Sequence, residues 1–195
     1  MTTLHYEILD EARRALLPLL KLFTDQFYLP GGTALALQIG HRDSIDFDFF
    51  SESGFDTGEL FAKCESTFSG HALKKTQDER DTLSVLVDEA VQVSFMGFPY
   101  TLVEPALQTP DMRLASIADI GCMKLSAITG RGAMKDYVDI FFIARLIPLS
   151  QLISYAEHKF PTLERNLILK SLVYYDDITD TAIKYMPGYA TSVDD

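Results

Sequence analysis

Apolar positions along this chain switch between helical and strand spacing, and those switches lay out its elements. In residues 4–23, Leu4, Ile8, Ala12, Leu16, Leu19, Leu20 and Phe23 recur every three or four positions, which predicts an amphipathic helix that Pro18 bends or divides. Phe27, Tyr28 and Leu29 form a short β-prone run ended by Pro30-Gly31-Gly32, and residues 33–39 open a second helix. Residues 44–50 alternate: Ile45, Phe47 and Phe49 share one face, while Ser44, Asp46 and Asp48 share the other. That period of two marks a half-buried strand whose carboxylates point the same way.

Asp56 or Thr57 caps the next helix, which runs to about residue 67 with Leu60, Phe61 and Cys64 at core spacing. Residues 71–76, 82–87 and 91–95 read as three strands, the last two closed into a tight hairpin by Asp88-Glu89-Ala90. Helical spacing returns at 115–128, breaks at Thr129-Gly130-Arg131-Gly132, resumes at 133–146 and stops at Pro148; residues 151–158 and 163–174 add two helices. The expected class is α+β, a mixed sheet flanked by helices in about residues 1–113 with a helical C-terminal extension in about 114–195. No internal repeat and no Pro/Ser/Gly linker divides the chain, so residues 1–195 are expected to form one domain.

Composition narrows the function. Of 195 residues, 47% are hydrophobic and 23% charged, as in ordinary globular proteins. Lys and Arg total 17 against 28 Asp and Glu, a net charge of -11 that opposes broad binding of polyanions. A nucleic-acid face would require Lys63, Lys74, Lys75, Arg80 and Arg113 to gather on one side. Asp176, Asp177, Asp180, Asp194 and Asp195 make the C-terminal end acidic. Cys64 and Cys122 have neither CxxC spacing nor a nearby His pair, so packed thiols are expected rather than zinc or a disulfide. The N-terminus is acidic with no apolar run after a basic start, and no stretch of about eighteen apolar residues occurs. A cytoplasmic location without a membrane partner is the expectation.

The chemistry concentrates in residues 29–50. Gly31 and Gly32 allow positive φ and close backbone approach, the helix that follows offers unpaired N–H groups, and Thr33 adds a hydroxyl, so this turn can cradle phosphate. Asp46 and Asp48, side by side on one strand face, suit Mg²⁺, which takes one or two carboxylates plus substrate phosphates. A glycine turn or a D-x-D strand alone is most often structural; the two joined in order across a helix point to a nucleoside triphosphate held with its metal. His41 and Arg42 either reach those phosphates or solvate a loop. Further on, Lys124 lies in a mostly apolar helix, where its charge needs a partner such as a triphosphate or snorkels to solvent. Lys135 and Asp139 are spaced for an intrahelical ion pair.

Gly31-Gly32-Thr33-Ala34-Leu35, then Arg42, then Ser44-Ile45-Asp46-Phe47-Asp48-Phe49 resembles the opening of the AbiEii/AbiGii toxin family, whose proteins are nucleotidyltransferase-like. A second block agrees: Lys124 in the sequence from Leu114, Arg131-Gly132, and Lys135-Asp136-Tyr137-Val138-Asp139 resemble the family's later motifs, and 172–177 extends the likeness. The resemblance implies a nucleotidyltransferase-like fold that moves NMP from an NTP to a hydroxyl, on a tRNA end or a protein, within a toxin–antitoxin pair. It places Lys124, Lys135 and Asp136 at the nucleotide. It also implies a third carboxylate from a strand beside Asp46 and Asp48, where residues 91–95 offer only Gln92 and Ser94. Neither side chain can act as an anionic ligand or strong base. Three readings stay open: Asp136 supplies the base, Glu89 reaches in from the hairpin, or the protein is a nucleotide-binding or partner-binding module that turns over poorly. A P-loop, a protein-kinase motif set and a G-x-S-x-G elbow are all missing, which argues against kinase and serine-hydrolase chemistry.

Overall fold

The computed structural model describes residues 3–174, 176, 178 and 182–190, and the elements below are those of the described residues. The first predicted helix is divided by Asp10, not by Pro18. Asp10 is extended and its Oδ1 accepts from the Arg13 N–H at 2.9 Å, so a 3-10 turn over Tyr6–Ile8 is separated from α1, Glu11–Leu20. Pro18 is accommodated inside α1, which tightens into a 3-10 turn over Lys21–Phe23. Residues 27–29 form single bridges, Tyr28 to Phe50 and Leu29 to Leu114, rather than a strand. Helix α2, Gly31–Ile39, follows and ends at Gly40 with φ 67°.

Strand β1 spans Phe47–Ser51, and Asp56 caps α3, Thr57–Thr67, by accepting from the Glu59 N–H at 2.9 Å. Then come β2, Leu73–Glu79, β3, Thr82–Val87, and β4, Val91–Gly97. The sheet order is β1-β4-β3-β2, with β1 parallel to β4 and the other pairs antiparallel. Asp88 and Glu89 take φ of 50° and 56°, the left-handed pair that lets a short turn follow the strand twist between β3 and β4. The outer strand β2 keeps its edge polar with residues such as Lys74, Asp78 and Glu79.

One sheet face buries Phe49 and Phe95 against Phe23 and Phe27, with ring centroids 4.9 to 5.6 Å apart. Ile45 was expected on this face but is 53% exposed, because β1 begins only at Phe47 and the preceding residues leave the strand period. The opposite face carries Asp48 beside Ser94 and Phe50 beside Met96 in register. After the short ribbon β5, Leu107–Gln108, and β6, Arg113–Leu114, come α4, Ile117–Gly130, α5, Met134–Ala144, α6, Leu149–Lys159, and α7, Arg165–Val173. Helix α4 packs against α2, α5, α6 and α7, which makes it the bridge between the sheet-bearing part and the C-terminal helices.

The segment 182–190 returns to the start of the chain. Asp43 N–H donates to Lys184 O at 3.0 Å, Met186 N–H to His41 O at 3.1 Å, and the Tyr189 hydroxyl to Ile39 O at 2.8 Å. Of the acidic C-terminal residues, Asp177, Asp180, Asp194 and Asp195 lie outside the described residues. Cys64 and Cys122 are buried, free thiols, and burial pushes both up to about 12. Among the described residues no single helix is long and apolar enough to cross a membrane.

Candidate active site

The cleft forms where β1, the start of α2, α4 and α5 converge, with a volume of about 410 Å³, within the range of small-ligand sites. Pro30 occupies the position before α2 and no side chain caps the helix, so the N–H groups of its first turn face the cleft unclaimed by a cap. Gly31 holds φ of 70°, a conformation that a side chain would strain. Gly32 lies so close to Arg42 that an added Cβ would collide with the guanidinium. The Thr33 hydroxyl donates to Asp46 O at 2.6 Å and meets Ser44 Oγ at 2.7 Å, which ties the phosphate-type turn to the carboxylate strand.

Asp46 is exposed and Asp48 half-buried, both lining the cleft. Burial, then the charge of Asp46, pushes Asp48 above the usual carboxylate range; the Ser94 hydroxyl and the charges of Lys135 and Arg131 oppose this. Two neighbouring carboxylates whose charge is incompletely balanced are a donor set that a hard divalent cation would stabilise. Among the described residues no group of three or more His, Cys, Asp or Glu converges on a metal position. A cation at Asp46 and Asp48 would therefore complete its shell with substrate oxygens and water, which suits Mg²⁺.

Facing them is a layer of cations held from behind by two fully buried carboxylates. Lys124 Nζ contacts Asp136 Oδ1 and Asp139 Oδ2, each at 2.6 Å, and Arg131 Nε contacts Asp136 Oδ2 at 3.0 Å. Arg42 forks onto Asp139 through Nε at 2.7 Å and Nη2 at 2.8 Å. His41 Nε2 donates to Asp139 Oδ1 at 2.8 Å, while its Nδ1 is buried with no hydrogen-bond partner among the described residues. The ring is thereby held neutral: a proton on Nδ1 would be a buried donor with nothing to meet, and burial depresses its proton affinity despite Asp139. Burial alone would raise Asp139, but the His41 hydrogen bond, the Lys124 charge and Arg42 hold it well below the usual carboxylate range. Lys124, Arg42 and Arg131 thus face Asp136 and Asp139 with positive charge in excess, all three cations line the cleft, and Lys135 adds another at its rim.

The model of the nucleotidyl transferase AbiEii toxins, of type IV toxin–antitoxin systems, matches residues 16–179. The chain belongs to this family. The AbiEii-family chain is also 33% identical over 192 residues to the uncharacterized protein aq_aa25 of Aquifex aeolicus, covering 95% of this chain and 91% of that one. In fold it is similar to JHP933 of Helicobacter pylori, with a TM-score of 0.58 at 17% identity over 85% of this chain and 90% of that one. It is likewise similar to the nucleotidyltransferase toxin MenT4 of Mycobacterium tuberculosis, with a TM-score of 0.54 at 19% identity over 74% and 61% of the two chains. The protein is a nucleotidyltransferase of the α+β class with a mixed sheet.

Several residues of this AbiEii-family protein sit differently from the sequence-based expectations. His41 is wholly buried as a prop for Asp139 and solvates no loop, and Arg42 is only 6% exposed. Lys124 neither snorkels nor stands alone, since two carboxylates hold it. Asp139 is occupied by Arg42, His41 and Lys124, and Lys135, expected as its intrahelical partner, is exposed at the cleft instead. Asp136, a candidate base, has no exposure and both oxygens engaged. Glu89 sits on an exposed turn and does not line the cleft. Gln92 and Ser94 do lie on β4 next to the carboxylate strand, and Ser94 is directly opposite Asp48. Lys63, Lys74, Lys75, Arg80 and Arg113 do not line the cleft either; Lys75 pairs with Asp78 and Arg113 donates to Thr24 O.

Two features escaped the sequence reading. The clamp role of Asp139 was signalled only by its spacing from Asp136, which puts both on one helix face. An apolar wall of Phe50, Met96, Phe98, Met123 and Phe160 completes the cleft. Phe50 shares the parity of Asp46 and Asp48, but its neighbours come from three other parts of the chain.

Proposed function

We propose that this toxin is a Mg²⁺-dependent enzyme that transfers NMP from an NTP to a hydroxyl acceptor. The observation that carries the reading is the opposition, in one cleft, of Asp46 and Asp48 to a layer with surplus positive charge, beside the uncapped start of α2. In this reading Gly31, Gly32 and Thr33 form the phosphate cradle, and Lys124, Lys135, Arg42 and Arg131 neutralise the triphosphate. Asp46 and Asp48 would hold the cation, which supplies activation of the attacking hydroxyl and charge neutralisation of the leaving pyrophosphate. The acceptor oxygen bonds to the α-phosphorus, the bond to the bridging oxygen breaks, and pyrophosphate leaves as the hydroxyl proton is taken up. Lys124, fixed between Asp136 and Asp139, is positioned where negative charge gathers on the departing group.

Asp136 acts as a positioning residue for Lys124 and Arg131, because neither of its oxygens is open to an acceptor. Asp46 and Asp48 are the carboxylates that line the cleft among the described residues, so the acceptor proton passes to this pair or to the substrate phosphates. The acceptor is a tRNA end or a protein hydroxyl, and the strongly acidic composition favours one that enters by its end rather than along a long basic track. A cognate antitoxin is the expected partner, and the cytoplasm, where NTPs and tRNA meet, the expected compartment.

A second reading, a nucleotide-binding or partner-binding module with poor turnover, is favoured by Ser94, which stands opposite Asp48 in place of a third carboxylate. Incubation with each α-labelled NTP, total tRNA and the protein itself, with pyrophosphate release and Mg²⁺-dependent binding measured in parallel, separates the two. Label on an acceptor with pyrophosphate release supports the enzyme. Binding without release supports the nucleotide-binding module, and no Mg²⁺-dependent binding refutes both the enzyme and that module, leaving only a partner-binding role.

A further inference from the structure

Asp48 and Phe50 are two residues apart on β1 and share its cleft-facing side, so the sheet surface passes from carboxylate to aromatic ring in about 7 Å of strand. Met96 lies beside Phe50 in register. The Phe98 ring packs 4.8 Å from Phe50 and 6.1 Å from Phe160, centroid to centroid. Met123, on α4 just before the lysine of the cation layer, closes the other side. Phe50, Met96, Phe98 and Met123 are each half-buried and line the cleft, the Phe98 ring also packing 4.9 Å from Tyr100.

An ion pair next to Phe160 anchors the end of α6 behind this wall. Lys159, immediately before Phe160, donates to Asp119 Oδ1 at 2.8 Å and to Thr101 O at 2.7 Å. Asp119 in turn accepts from the N–H groups of Val103 at 2.8 Å and Glu104 at 3.2 Å and from Ser116 Oγ at 2.7 Å. Both charges are buried. The segment that follows Phe98 is therefore tied to α4 and α6.

We infer that this aromatic wall is the seat of the nucleobase of the incoming NTP and binds it by face stacking, with purines ahead of pyrimidines. The inference rests on the proposed polyphosphate and cation site. With the triphosphate between the α2 turn and the cation layer and the α-phosphate at Asp46 and Asp48, the ribose spans the gap to Phe50 and the base falls onto Phe50 and Phe98. No side chain of the wall offers the paired donor and acceptor that reads a base edge, so stacking area sets the order. Preference among the four bases then follows stacking strength and is modest.

Calorimetric titration of the full-length protein with Mg²⁺ and each of ATP, GTP, CTP, UTP and inorganic tripolyphosphate tests this in wild type, Phe98→Ala and Phe98→Leu. The leucine variant keeps the wall filled but removes the ring face, and thermal melts verify that each variant folds. The expected result is a loss of about five- to a hundredfold in affinity for every NTP in both variants, with tripolyphosphate binding unchanged. Equal losses for NTPs and tripolyphosphate would overturn the inference, since the wall would then only support the fold. Unchanged NTP affinity in both variants would overturn it by placing the base elsewhere. If the wild type binds neither NTP nor tripolyphosphate, the polyphosphate site fails and the base site falls with it; if it binds both and the variants do not discriminate, only the base site is refuted.

Discussion

Replacing Asp139 by Asn removes the buried anion on which Arg42, His41 and Lys124 converge, and its cost can be worked from the geometry. Asp139 has no exposure and receives Arg42 Nε at 2.7 Å, Arg42 Nη2 at 2.8 Å, His41 Nε2 at 2.8 Å and Lys124 Nζ at 2.6 Å. Asn offers one acceptor oxygen in place of two and turns an N–H donor toward groups that are themselves donors. Arg42 and Lys124, both 6% exposed, would then depend on Asp136, which also holds Arg131. Breaking a buried pair in this way costs about 3–5 kcal/mol, a large share of the roughly 5–15 kcal/mol that stabilises a domain. At about 2–4 °C per kcal/mol for a chain of this size, Tm should drop by roughly 6–20 °C. Urea unfolding with an unchanged m-value measures the same loss independently. Asp46→Asn is the control, because that exposed carboxylate has a like-charged neighbour and should change stability by no more than about 0.5 kcal/mol. A loss below about 1 kcal/mol in Asp139→Asn would refute the view that this carboxylate holds the cation layer in place.

Asp46→Asn and Asp48→Asn should abolish Mg²⁺-dependent NTP binding while leaving Tm unchanged or slightly raised, as read by calorimetry and melting; unaltered binding would remove both from the site. Stability should be flat between about pH 6.5 and 8.5 and decline on both sides, on the alkaline side because the thiols of Cys64 and Cys122, pushed up to about 12 by burial, ionise first in the unfolded chain. His41, depressed by burial, stays neutral in the fold while the unfolded chain takes up a proton. Asp139, held low when folded, contributes stability that is present above the ordinary Asp value near 3.9 and is lost as pH falls below it. Urea midpoints should therefore fall from pH 7 to 5 and more steeply below 4, with the second limb missing in Asp139→Asn; a midpoint that rises on acidification contradicts this. Gly32→Ala forces its new methyl into the Arg42 guanidinium, so nucleotidyl transfer should drop at least tenfold and stability by about 1–3 kcal/mol, measured by product formation and melting. Wild-type turnover in this variant would show that Arg42 can move without consequence.

Features that depend on near neighbours were legible from the residues alone. Alternation around Asp46 and Asp48 was legible because a strand's period fixes which side chains share a face, and the glycine turn before α2 because backbone freedom is a property of the residue itself. The Asp56 cap and the β3–β4 hairpin were equally local. The boundary at Asp10 was not seen, because one capping carboxylate outweighed a continuous apolar pattern. Ile45 was misplaced because the alternation begins before the hydrogen-bonded strand does. What Lys124, His41 and Asp139 do emerges only on folding, since their partners lie 12 to 98 residues away in sequence and a buried charge takes its meaning from whatever meets it. The same holds for the aromatic wall, assembled from β1, β4, the segment after β4, α4 and the end of α6. Packing alone brings those separate apolar residues to the edge of the carboxylate site, and no local period encodes that meeting.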